Sequence, residues 1–119
     1  MTFNTATYDI LILEKHLDTF GHVNNATYLE IFEEARWDMI TRNGYGLKEV
    51  QTLKIGPVIL EINIKFIKEL KLRETIKIET QMTDYNGKVG TIKQVMKRGD
   101  ELCCEFSCKA GLFDLKQRK

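Results

Sequence analysis

Between Asp18 and Tyr28 the chain reads Asp18-Thr19-Phe20-Gly21-His22-Val23-Asn24-Asn25-Ala26-Thr27-Tyr28, a carboxylate, an imidazole and two amides in one short loop. Directly behind it, Tyr28, Ile31, Phe32, Ala35, Met39 and Ile40 fall at helical intervals, so the loop leads into a buried helix. The first turn of a helix carries unpaired N–H groups and a partial positive charge, which suits a developing oxyanion. A carboxylate a few residues upstream reaches the same space. Together these make a minimal acyl-transfer site, a base or nucleophile facing an oxyanion hole. The same residues also have a purely structural reading. In it Asp18 is a turn residue, Gly21 a turn glycine, and Asn24 and Asn25 are helix caps. Residue chemistry alone names no substrate.

The elements that must position this loop are legible from periodicity. Asn24 or Asn25 caps a helix running over about 25–43, and Gly44 supplies a left-handed stop. Thr7 to Leu13 alternate as a strand, with Tyr8, Ile10 and Ile12 on one face. Val58, Leu60, Ile62, Ile64 and Phe66 share one face of a second strand. Ile76, Ile78, Thr80 and Met82 repeat the signal, and Asn86-Gly87 reads as a two-residue hairpin turn. Val89 to Met96 returns, with a bulge expected at Gly90. Gly99-Asp100 turns again, into a strand with Leu102, Cys104, Phe106, Cys108, Ala110 and Leu112 on one face. The order is β-α-β-β-β-β, an α+β domain spanning residues 1–119, one helix on a five-stranded antiparallel sheet. The open sheet edge and the far helix face need cover, and a second copy is the economical solution.

Composition bounds the function. The 119 residues are 43% hydrophobic and 29% charged, enough apolar content for one core and far from a disordered chain. Eighteen Lys and Arg against seventeen Asp and Glu leave a net charge of +1, without the basic excess of a nucleic-acid binder. No apolar run approaches the roughly 20 residues that cross a bilayer. The start, MTFNTATYDI, lacks the basic-then-apolar layout of a signal peptide. Cys103, Cys104 and Cys108 form neither a CxxC pair nor an even framework, so buried free thiols in a reducing cytoplasm are expected.

The string Asp18-x-x-Gly21-His22-Val23-Asn24-Asn25-x-x-Tyr28, followed by Glu33-Glu34-Ala35-Arg36, resembles that of hot-dog-fold acyl-CoA thioesterases, in particular the 4-hydroxybenzoyl-CoA thioesterase-like family. The element order agrees over nearly the whole chain, and about twenty residues carry the specific match. The resemblance implies a hot-dog fold, a long helix wrapped by a curved sheet. It further implies a homodimer or homotetramer with its sites at the subunit interface. The family's catalytic carboxylate falls on Asp18, and its oxyanion donor on the Asn25 backbone N–H. Gly21 and Val23 fall where substrate is bound, and Tyr28, one turn into the helix on its apolar face, packs in the core or lines the acyl tunnel. The family uses no metal or redox cofactor, coenzyme A being part of the substrate. The sequence departs from many members in stopping at Gln117-Arg118-Lys119, where those members carry a further tail bordering the site.

The implied reaction is hydrolysis of an acyl thioester to a carboxylic acid and free thiol, in the cytoplasm. An aspartate titrates near about 3.9 in peptides, so Asp18 is ready at neutral pH to attack the carbonyl or to take a proton from water. His22 has two roles open to it, a direct catalytic part or orientation of the loop. Asn24 can hold water, brace Asp18 or simply cap the helix. Glu33, Glu34 and Arg36 read as solvated or interfacial ion-pairing residues, with Glu33 and Glu34 as fallback carboxylates, because another hot-dog branch uses one on the helix. Lys65, Lys68, Lys71, Arg73, Lys93, Lys97 and Arg98 can meet coenzyme A phosphates or merely guard strand edges. His16 reads as an exposed residue at the end of the first strand. Three other functions fit the fold: a thioesterase for acyl-carrier-protein substrates, a non-catalytic acyl-CoA-binding module, and a dehydratase.

Overall fold

Apolar residues spaced at two and at three-to-four assemble into two layers in a computed structural model that describes residues 5–118. The elements run β1 (Ala6–Leu11), α1 (Asn25–Arg42), α2 (Leu47–Leu53), β2 (Ile55–Phe66), β3 (Thr75–Tyr85), β4 (Val89–Arg98) and β5 (Glu101–Asp114). A single 3₁₀ turn, Glu14–His16, follows β1. The strands form one antiparallel sheet in the order β1-β3-β4-β5-β2. This is the expected α+β architecture with one addition, α2.

The core forms where α1 lies on the inner sheet face. Tyr28, Ile31, Phe32 and Ala35 meet Ile76, Ile78, Ile92, Met96, Cys104, Phe106 and Cys108, all buried. The Phe32 and Phe106 rings stack at 4.8 Å. One polar chain crosses this core. The buried Arg36 donates to Gln94 Oε1 at 3.0 Å, and Gln94 Nε2 donates to the Phe32 carbonyl and to Thr80 Oγ1. The Arg36 guanidinium also lies over the Phe106 ring at 5.0 Å. Burial holds its pKa below the usual arginine value.

Several local expectations shift. The helix over 25–43 ends one residue earlier, at Arg42, and Gly44 has the left-handed φ of +92° foreseen for it. The Asn86–Val89 hairpin turns on Gly87 and Lys88, not on Asn86 and Gly87. Gly87 supplies the positive φ, while Asn86 Oδ1 accepts from the Lys88 and Val89 N–H groups. The expected bulge at Gly90 lies across the ladder on β3, between Met82 and Asp84. A second bulge, between Ile59 and Glu61, breaks the single face foreseen for β2. Opposite the buried face of β5 stand Ile59, Ile62, Ile64 and Phe66, with Leu60 at the irregularity. A third irregularity gives Cys103 and Cys104 to the interior together, because Lys97 pairs with Leu102 and Met96 with Cys104.

The three thiols are free and buried. Burial pushes the Cys104 thiol up to about 12, and also raises Cys103 and Cys108. At pH 8 such a group holds on the order of a thousand-fold less thiolate than an ordinary cysteine. A disulfide-forming reagent such as dithionitrobenzoate is therefore expected to leave the folded protein unmodified at pH 8 and to titrate three thiols in urea; rapid reaction in the folded state would contradict this burial. The sign of the linkage also follows. A pKa raised by folding stabilises the protein below the unfolded thiol value, and that contribution is lost as pH rises toward 12.

Candidate active site

The loop before α1 is tied at its base by a bridge between Leu17 and the buried Val23. Inside it, the Asp18 N–H donates to the His22 carbonyl at 2.8 Å and the Gly21 N–H to the Asp18 carbonyl at 3.0 Å. Asp18 Oδ1 accepts from the Phe20 N–H at 2.9 Å and the His22 N–H at 3.0 Å. The carboxylate is thus anchored through one oxygen, while no bond within the described residues occupies Oδ2. Gly21 has a φ of +77°, and nothing stands within 4 Å of the place a Cβ would take. Its requirement is conformational, since a side chain there would meet open space but a strained backbone.

Asn24 is the N-cap of α1, and its side chain accepts from the Thr27 N–H at 3.0 Å. Of the roles open to it, capping is the one these bonds display. Asn25 is the first helical residue, and no acceptor among the described residues takes its N–H. Asn25 is also one of the residues lining a shallow groove, with His22, Val23, Tyr28, Phe66 and Glu69 among the others. Tyr28 stands between the core and the groove. It is buried edge-on against Phe66 with ring centroids 5.0 Å apart, and its rim forms part of the groove wall. Burial raises its phenol pKa.

The structure thus brings His22, Val23, Asn25 and Tyr28 to one groove. It holds Asp18, Gly21 and Asn24 in the adjoining loop but outside the groove lining. Glu69, in the loop after β2, was not foreseen. Its Oε1 is hydrogen-bonded to His22 Nδ1. The two residues lie 47 positions apart, so no local pattern could pair them. His16, expected to be exposed, instead turns Nδ1 inward to accept from the Leu13 N–H at 2.8 Å.

Other candidates are engaged elsewhere. Glu34 accepts from the Tyr8 hydroxyl, which is pushed up to about 12 chiefly by that bond. Arg36, foreseen on a solvated or interfacial ion pair, is instead a core residue. Of the basic residues, Arg73 pairs with Glu14, Lys97 with Glu79, Lys68 with Glu101, and Arg98 with Glu74 and Glu101. Strand and loop cross-links thus engage four of the seven basic residues considered for coenzyme A.

Two further hollows that share Ile40 and Pro57 form a trough along the β2 side of α1. Glu33, Arg36 and Trp37 face Pro57 and Ile59 in its nearer part. An almost wholly apolar cavity of about 160 Å³ ends it, between Met39, Ile40, Tyr45 and Tyr85. From Asn25 to Ile40 the helix rises roughly 20 Å. Ile59, Ile62 and Phe66 of β2 remain between 41 and 46% exposed, because α1 comes closest to β1 and β3 and covers β2 only in part, through Tyr28 on Phe66.

Comparison with known proteins gives this geometry a family. Over 81 residues the chain is 40% identical to the long-chain acyl-CoA thioesterase FadM of Escherichia coli (strain K12), a match covering 68% of this chain and 61% of that protein. The chain thus matches about three fifths of that relative's length. The crystal structure of YbaW, a probable thioesterase from Escherichia coli, superposes with a TM-score of 0.82 at 33% identity, covering 95% of this chain and 86% of that one. The Staphylococcus aureus hypothetical protein SAV2348, solved in complex with CoA, shares the fold at a TM-score of 0.91 and 20% identity, covering 100% and 76% of the two chains. The wrapped helix is therefore the hot-dog fold. Because the family model matches residues 13–119, which include the whole Asp18–Tyr28 loop and the helix it feeds, the chain belongs to the thioesterase-like superfamily.

Proposed function

We propose that the protein hydrolyses acyl-CoA thioesters, releasing a carboxylic acid and free coenzyme A. One observation carries this reading: Asn25, whose helix-start N–H has no acceptor among the described residues, lines a groove beside a loop that holds the Asp18 carboxylate by one oxygen. The thioester carbonyl oxygen sits on the Asn25 N–H, where negative charge develops in the transition state. Asp18 Oδ2 then attacks the carbonyl carbon or takes a proton from the attacking water. Val23 and Tyr28 hold the thioester in the groove, and Gly21 and Asn24 fix the backbone on either side. No metal or redox cofactor enters this route, and coenzyme A arrives as part of the substrate. The far end of the trough along α1 is apolar and has room for part of an acyl chain, in keeping with the relative named for long-chain substrates.

Two copies complete the site. A second chain laid antiparallel along β2 covers Ile59, Ile62 and Phe66 and roofs the trough, and further pairing gives a tetramer. Three free thiols support a reducing compartment, the cytoplasm. Among the described residues no helix is long and apolar enough to cross a membrane.

The test is thiol release from short, medium and long acyl-CoAs, an aromatic CoA thioester and an acyl-carrier-protein thioester. Long acyl-CoAs are expected to turn over fastest. Turnover of the carrier-protein substrate alone would move the protein to that class, and saturable binding without turnover would make it a binding module.

A further inference from the structure

Glu69 is the carboxylate that lines the groove, and it faces the imidazole of His22 rather than solvent alone. A carboxylate on Nδ1 fixes the tautomer and ring orientation and offers a counter-charge to an imidazolium, leaving Nε2 as the working nitrogen. His22 has a second constraint, since its own N–H is held by Asp18 Oδ1 at 3.0 Å. Backbone and ring are therefore both positioned, from two different segments of the chain. Lys68 borders the same groove but is drawn toward Glu101 at 3.4 Å.

We propose that His22 donates the proton to the departing thiolate and that Glu69 is its positioning residue. This inference rests on the thioesterase reading and adds to it the leaving-group half of the reaction. In the first half, water adds to the carbonyl carbon, Asp18 takes the water's proton, and the oxyanion rests on the Asn25 N–H. In the second, the oxyanion re-forms the carbonyl and the C–S bond breaks with its electron pair going to sulfur. Protonated His22 gives its Nε2 proton to that sulfur. The proton held by Asp18 passes through solvent to His22, which resets both groups. The net reaction consumes one water and yields the acid and the thiol.

A general acid matters in proportion to how poor the leaving group is. The test therefore compares wild type, Glu69→Gln, His22→Ala and the double variant on two thioesters of one acyl group. One thioester carries coenzyme A, and the other carries nitrothiophenol, which departs without a proton. With coenzyme A, kcat is expected to fall roughly ten-fold for Glu69→Gln and about a hundred-fold for His22→Ala, with KM little changed. With nitrothiophenol both losses should shrink to about two-fold or less. The double variant should be no slower than His22→Ala alone, as expected for residues acting in series. Nitrogen-15 shifts of the His22 ring supply a readout independent of turnover, with Nδ1 protonated in wild type and the tautomer balance altered in Glu69→Gln. Equal losses on both thioesters, a Glu69→Gln enzyme as fast as wild type, or an unchanged ring tautomer would overturn the proposal while leaving Asp18-dependent hydrolysis intact. A wild type that hydrolyses no thioester would instead remove the reading beneath it.

Discussion

Asp18→Asn is expected to lower kcat on the best acyl-CoA by about 10²–10⁴-fold, the range lost with a general base, while leaving the fold unchanged. The separation of these effects follows from how the side chain is held. Only Oδ1 is anchored, by the Phe20 and His22 N–H groups. An asparagine keeps an oxygen for both donors, so the loop retains its shape, but it has no charge and cannot take a proton. Asp18→Ala should lose activity at least as completely and, in addition, about 1–2 kcal/mol of stability, because two N–H groups lose their acceptor. Thiol release with parallel urea denaturation separates the two. If Asp18→Asn keeps wild-type turnover, the chemistry lies with another carboxylate, and Glu69 is the one already in the groove.

How far such a site can be read without coordinates depends on whether its contacts are local. Asp18, Gly21, Asn24 and Asn25 act through neighbours within a few residues, and their turn and cap geometry follows from residue type. The core face of α1 and the inward sets Ile76-Ile78-Thr80 and Cys104-Phe106-Cys108 were equally legible, because each period matches one buried face. The sequence is silent where pairing is long-range or irregular. Glu69 meets His22 only because the loop after β2 returns to the start of α1. Helix α2 buries no residue and leaves Leu47 and Leu53 exposed, so its two-turn stripe of Leu47, Val50 and Leu53 is too short to announce it. Its one local device is a Glu49 carboxylate accepting the Gly46 N–H. Arg36 was misplaced because a charge on a helix reads as solvated. The signal that it is not solvated lies on β4, where Gln94 interrupts an inward set otherwise made of Ile92 and Met96.

For the pairing through β2 proposed above, Ile62→Lys is expected to yield a monomer and to remove most of the thioesterase activity. The reason lies in what α1 leaves uncovered. Ile62 stands opposite the buried Cys108, so it points to the inner side of the sheet, yet it remains 44% exposed. A second copy along the free β2 edge buries that remainder twice, once per subunit. The apolar gain is about 1 kcal/mol from each copy. Placing two ammonium groups there adds repulsion and desolvation, so the dissociation constant should rise at least about a hundred-fold. Asn63→Lys is the matched control, since it adds the same charge on the outer face of the same strand, opposite Ser107. Light scattering after size-exclusion chromatography over a range of concentrations, with turnover of each fraction, reads both variants. A dimeric Ile62→Lys, or a wild type that is monomeric at tens of micromolar, would exclude pairing through β2. A monomeric Ile62→Lys that keeps full turnover would have a narrower meaning. The groove at Asn25 would then suffice within one subunit, and the trough along α1 would need no partner to hold its acyl chain.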